Sequence, residues 1–215
     1  MSTKDYVEKI GDQVVRGNMV KATYMLVANQ YGAKIEEKAE SILMKGAGYA
    51  LKLMGVMDVN DFLKRFTTTI KNVIYVPFKV GVNEDYALVR QLGVLVHEIE
   101  HVKQYYDEKE MFMLKYLADS GERAYYEGMA QGAAMEFHIR SGHWGSGDRL
   151  DKNIEDYIEY SKDKLVKYYL CDKEDVEATD GILRSTAVMV KDMIRSNEYV
   201  YEQVGMVIKL LGLDK

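Results

Sequence analysis

Apolar residues recur at helical spacing along most of this chain, and one segment alone breaks into the β-branched, aromatic pattern of a strand. Residues 4–16 read as a short amphipathic helix, broken at Gly17-Asn18, and a second helix covers about 19–31 and ends at Gly32. The spacing of Ile35, Ala39, Ile42, Leu43, Ala47, Ala50 and Leu51 predicts a third helix over about 33–54. Asp58-Val59-Asn60 offers N-caps for a short helix ending near Phe66. Thr67 to Phe78 then reads as a strand, with Pro77 pointing to an edge strand or a strand end. After a loop and cap at Gly81–Asp85, helices are predicted over about 85–106, 109–118 and 122–140, the second stopped by Asp119-Ser120-Gly121. Ser141–Asp148 is a glycine-rich loop. Residues 150–215 return to charged helix, with breaks near Cys171-Asp172 and Ser196-Asn197. The expected class is α+β and predominantly helical, with a small sheet beside the helix of 85–106 and further helices at both ends.

Composition sharpens this picture in a few respects. With 215 residues and 47% hydrophobic content, the chain suffices for one domain with an ample core. A net charge of −5 with no basic stripe argues against a nucleic-acid partner. Cys171 is the sole cysteine, which excludes an intrachain disulfide framework and a cysteine-based zinc site. No apolar run reaches the roughly 18 residues that a membrane span needs, and Met1 to Asp12 lacks an apolar signal core. The expected compartment is therefore the cytoplasm, with a virion or an exported particle as the other placement. The 17 tyrosines and 13 methionines suit an adaptable helical core or a subunit interface, so an oligomer or a particle assembly is a further expectation.

The chemistry concentrates in His97-Glu98-Ile99-Glu100-His101, within an apolar run from Leu92 that continues through Val102 to Tyr106. On a helix, residues four apart share a face, so both imidazoles can point at one ion. Glu98 lies about 100° round the helix and can reach a water on that ion without ligating it. Two nitrogen ligands, a general base and an open position make up a zinc-hydrolase arrangement. The competing reading is a solvated turn in which Glu98, Glu100 and His101 face water. Two of only four histidines at this spacing, after so apolar a segment, weigh against it. Glu100 and Glu108 are expected to be solvated.

A catalytic zinc needs a third protein ligand. The histidine of an extended H-E-x-x-H-x-x-G-x-x-H pattern is absent; Gln104 and Asp107 stand there. The candidates lie on the helix of 122–140: Glu122, Glu127, Glu136 and His138. Glu127 shares its face with Arg123, Ala130, Gln131, Ala134 and His138, and the alanines allow a second helix to approach. His138 is about 16 Å along that face and cannot reach the same ion. Glu122 and Glu136 lie on the opposite side. Glu127 is the first choice and Glu122 the second, with pairing to Arg123 as the alternative role for Glu127.

His97-Glu98-x-x-His101-Val102-x-Gln104, followed by Tyr126-Glu127-x-x-Ala130, resembles the gluzincin-type zinc metallopeptidases. It resembles more closely the small bacterial and phage-encoded zincin-like domains with a HExxHxxQ core. The resemblance covers roughly residues 67–137. It implies a zincin-like core over about 67–140 of a single domain, 1–215, with a C-terminal helical region over about 150–215. It also implies Zn²⁺ held by His97, His101 and Glu127, with Glu98 activating water to cleave a peptide or protein substrate. In such folds the strand beside the motif helix pairs with an extended peptide. Tyr126 and Gln131 depart from the family's Asn-Glu-x-x-x-Asp helix, which leaves the group orienting a ligand histidine unassigned. Tyr125, Tyr126, His138 and His143 are the candidates to stabilise an oxyanion. His143-Trp144 is either a mobile lid or an anchored connection. The other functional reading is a zincin-like structural or assembly protein, for example a phage particle component, with zinc and no turnover. The ligand set favours zinc, and the Irving–Williams order leaves Ni²⁺ and Co²⁺ as alternatives.

Overall fold

A computed structural model of the chain describes residues 6–53, 58–195 and 197–213. Its elements run β1 (Val7–Ile10), β2 (Gln13–Arg16), α1 (Gly17–Gln30), β3 (Lys34–Glu37), α2 (Ile42–Leu53), α3 (Val59–Arg65), β4 (Thr68–Ile70) and β5 (Val73–Val76). The helices α4 (Leu88–Glu108), α5 (Glu110–Ala118), α6 (Ser120–Arg140), α7 (Asp148–Tyr168), α8 (Lys173–Lys191) and α9 (Glu198–Leu210) follow. The class is α+β and mostly helical, with two small sheets.

The expected helix over 4–16 is instead the antiparallel hairpin β1–β2, Val7 pairing with Arg16 and Ile10 with Gln13. Gly11, at φ +57, makes the turn, and the β-branched residues on either side fit a pleated surface. Lys4 and Asp5 of that expected helix lie outside the described residues, as do Met54 of the third, and Ser196, Asp214 and Lys215 further on. The helix expected over 33–54 divides. Lys34–Glu37 pairs in parallel with β5, and Ser41 Oγ accepts from Met44 N at 3.3 Å as α2 begins. Strand pairing, a tertiary effect, overrides helical spacing at Ile35. The strand expected over 67–78 is a hairpin, because Lys71, at φ 57, turns the chain between β4 and β5. The sheet order is β3-β5-β4, so Pro77 follows the end of a central strand and β4 lies at an edge.

The 21-residue α4 is the axis of the molecule. Its Leu88, Leu92, Leu95, Val96, Ile99 and Val102 are buried in one cluster with Val20, Tyr24 and Val27 of α1, Ala133 and Phe137 of α6, and Val200, Val204 and Val207 of α9. α6 lies between α4 and α8. A Cβ at Gly128 would come within 3.2 Å of Thr179, and one at Gly132 within 3.3 Å of Thr186, so these glycines serve the approach of α8. A second cluster, with Met135, Trp144, Ile154, Ile158 and Leu183, joins α6, α7 and α8. No helix among the described residues is long and apolar enough to cross a membrane.

Phe137 is fully buried where α6 meets α4 and α9. Phe137→Ala is expected to destabilise the fold by about 3–5 kcal/mol, and Leu53→Ala, at a side chain 89% exposed, by less than about 0.5 kcal/mol. Urea unfolding followed by circular dichroism checks both.

Candidate metal centre

His97 and His101 sit one turn apart on the α4 face that meets α6, and Glu127 projects from α6 between them. α6 starts at Asp119, whose side chain accepts from Glu122 N at 2.9 Å, and its small residues let the two helices close on each other. All three side chains are buried, Glu127 to 1% exposure. His97 Nε2 is 3.2 Å from His101 Nε2 and 3.5 Å from Glu127 Oε2, and His101 Nε2 is 3.3 Å from Glu127 Oε1. Ligands at about 2.0–2.1 Å from a tetrahedral ion are separated by roughly 3.3–3.4 Å. The separation of the two imidazoles and the approach of each to one Glu127 oxygen are close to that edge length, and one atom from each of the three side chains lies within 4.8 Å of the others. Glu127 Oε2 is buried with no hydrogen-bond partner, an orphaned acceptor that a cation would satisfy. The donor set therefore fits a zinc-type ion.

The surroundings fix these groups. Gln104 Nε2 donates to Tyr126 O at 3.1 Å, which orients the amide and leaves its Oε1 for His101 Nδ1, 2.8 Å away. Nδ1 of His101 thus carries its proton toward Gln104 and Nε2 faces the other ligands. An amide rather than a carboxylate orients His101. Tyr116 OH donates to Glu127 Oε1 at 2.5 Å. Glu98 stands apart from the trio: its Oε2 accepts from Thr69 of β4 at 2.7 Å, and its Oε1 lies 3.9 Å from His97 Nε2. Lys38, wholly buried, donates to Phe66 O at 2.9 Å and Thr68 Oγ1 at 2.7 Å, anchoring the start of β4. Burial pushes its ammonium down to about 7.

Burial works against charge on both imidazoles and on Glu127. It prevails at His97, which is held well below the ordinary histidine range with the help of His101. At His101 burial also opposes charge, but the Glu127 carboxylate outweighs it and lifts the imidazole above its usual value. The two imidazoles in turn keep Glu127 ionised against burial. The trio thus holds a buried ion pair, protonated His101 against ionised Glu127, with His97 neutral beside it. Burial raises Glu98, which suits a group that must accept a proton near neutral pH.

A cleft of about 760 Å³ opens beside the trio, lined at its inner end by His97, Glu98, Gln131 and His138. Tyr169 and Lys164, from the end of α7, line the same cleft. Burial, followed by the Glu127 and Glu98 carboxylates, holds the Tyr169 hydroxyl well above its ordinary value, so it remains a donor. No protein family, curated protein or solved structure matches this chain. The site is accordingly read from its own geometry.

The other sequence candidates fall elsewhere. Glu122 is half-exposed, 3.9 Å from Lys115, and takes no part in the trio. Glu136 pairs with Arg140 at 2.8 Å. Arg123 does not pair with Glu127; its guanidinium donates to the carbonyls of Tyr116 and Tyr169. Glu100 is buried, contrary to the solvated position expected, and its Oε2 has no partner. Glu108 is likewise engaged, with Lys115 and the Tyr126 hydroxyl. That bond turns Tyr126 OH away from the trio, and Tyr125 is exposed. His138 does line the cleft; its Nε2 occupies the space a side chain at Gly93 would need, 2.6 Å from a Cβ there. Trp144 is anchored, not a free lid: it stacks on His138 at 5.0 Å and is buried in the α6–α7–α8 cluster.

Thr69, Tyr116, Lys164 and Tyr169 were not legible as site residues. Glu98 and Thr69 are brought together by the strand-on-helix contact alone, and the α7 residues by a helix with no motif of its own.

Because His101 is raised in the metal-free protein, it carries its extra proton at neutral pH and must lose it to bind an ion. Zinc uptake is therefore expected to release about one proton at pH 7 and to weaken as pH falls. Calorimetry in buffers of different ionisation enthalpy measures this; uptake with no proton release at pH 7 contradicts the charge assignment.

Proposed function

We propose that the chain is a zinc-dependent metallopeptidase of gluzincin type, with a zincin-like core made by the β3–β5 sheet, α4 and α6. One observation carries the reading: two imidazoles and a carboxylate with an orphaned oxygen are buried together within ligand reach of one another, and His97 of that trio lines a cleft in which a second carboxylate, Glu98, is held ready. His97, His101 and Glu127 would hold the ion, which when bound supplies a Lewis acid that polarises a peptide carbonyl and acidifies a water molecule.

The rest of the chemistry belongs to the chain's own groups. Glu98, fixed through Oε2 by Thr69, has Oε1 directed to the His97 side, where it takes the proton of the attacking water and passes it to the leaving amine. The Tyr169 hydroxyl, kept protonated, is the donor suited to the developing oxyanion, with the Lys164 ammonium supplying further positive field. β4 is an edge strand, so an extended peptide can add to it with its scissile bond near Glu98. A purely structural zinc site needs neither a base beside an open cleft nor a strand hydroxyl to orient that base, which favours turnover over an assembly role.

Metal analysis by mass spectrometry is expected to give one zinc per chain for the wild type and for Glu98→Gln, and none for His97→Ala. Hydrolysis of a quenched-fluorescence peptide library is expected to fall by about 10²-fold or more in Glu98→Gln. Zinc-loaded wild type that cleaves nothing, or a Glu98→Gln variant as active as wild type, overturns the peptidase reading.

A further inference from the structure

The charge of the cleft runs against the charge of the molecule. The chain carries a net −5, yet Lys64, Arg65, Arg90 and Lys164 all line the cleft, and among the described residues the only carboxylates lining it are Asp85 and the inner Glu98. These cations come from three separate elements, the end of α3, the first turn of α4 and the C-terminal part of α7, so no single helix's periodicity explains their convergence. Among the described residues Lys64, Arg90 and Lys164 have no carboxylate partner, whereas Arg65 is paired with Asp61 on its own helix at 3.1 Å. Two of them rest on aromatic faces: Arg90 lies 4.6 Å over the Tyr86 ring and Lys164 5.3 Å from the Tyr169 ring centre. Such stacking holds the charged heads in place and leaves their N–H groups for a ligand. The field of Lys164 reaches the centre itself, lowering His97, Glu98 and Glu127 alike.

We infer that the cleft selects acidic peptides, with Asp or Glu side chains flanking the bond presented at the metal centre, recognised by Lys64, Arg90 and Lys164. The inference rests on the peptidase reading for the place of the peptide, but its charge preference is measurable without turnover. The bulk charge of the protein predicts the opposite order, because an anionic molecule attracts basic peptides at long range.

The test uses the full chain, zinc-loaded and carrying Glu98→Gln, with coumarin-labelled octapeptides of alanine and glycine containing two Glu, two Gln or two Lys. Fluorescence anisotropy at low salt is expected to give tightest binding to the two-Glu peptide, by about tenfold over two-Gln, with two-Lys weakest. Adding Arg90→Gln and Lys164→Gln, with zinc content and melting temperature checked, is expected to abolish that order. A preference for Lys peptides, a Glu preference that survives loss of the two cations, or binding of none of the three overturns the inference. Cleavage by zinc-loaded wild type separates the two claims. Hydrolysis without acidic preference overturns the inference and leaves the peptidase reading standing. Cation-dependent binding of the Glu peptide without hydrolysis by wild type does the reverse.

Discussion

A carboxylate almost wholly removed from water, pressed against two imidazoles between α4 and α6, sets the terms for the rest of this structure. An isolated buried charge of this kind costs several kcal/mol even after relaxation. Glu127 is compensated by the protonated His101 imidazole, by His97 beside it and by the Tyr116 hydroxyl, yet one of its oxygens still lacks a partner. The trio carries donor atoms that could hold a metal ion. A proton on His101 balances the carboxylate, and the proposed divalent ion would also satisfy the orphaned oxygen.

The packing around this contact serves it. α4 is buried on several sides by α1, α6 and α9, which holds its two histidines at fixed height and rotation. α6 is locked from behind by α8, whose threonines fit against Gly128 and Gly132, so Glu127 has little freedom to withdraw. Thr179 Oγ1 donates to Ala124 O at 2.9 Å, one further tie at that seam. The small sheet contributes through its edge: Lys38 anchors the entry to β4, and Thr69 on that strand holds Glu98. His97, Glu98 and His101 thus share α4, Glu127 comes from α6 and the hydroxyl that holds Glu98 comes from β4, so the cleft beside them is shaped by packing and not by any one loop.

The helices carrying the motif were legible because their apolar spacing is long and unbroken, and the i, i+4 histidines with an intervening glutamate declared one face of α4. Helical rotation ranked Glu127 ahead of Glu122 and left Glu122 as the second choice. The segments on either side of α1 misled, since Val7, Ile10, Val14 and Val15 satisfy a helical and a strand pattern equally, and β3 exists only because β5 lies beside it. Glu100 looked solvated because its burial depends on helices that pack against α4 from distant parts of the chain. Lys164 and Tyr169 could not be found at all: they reach the site through the path of α7, and nothing in their local sequence marks them.

Electrostatics links the centre to its cleft. The same burial that raises Glu98 also strengthens the influence of Lys164 on it. The most direct test of the central claim is X-ray absorption at the zinc edge on the zinc-loaded chain. The account predicts a four-coordinate ion with two imidazole nitrogens and light-atom oxygen ligands at about 2.0–2.2 Å, one imidazole being lost in His101→Ala. A spectrum with a sulfur ligand, or with no imidazole scattering, would contradict it.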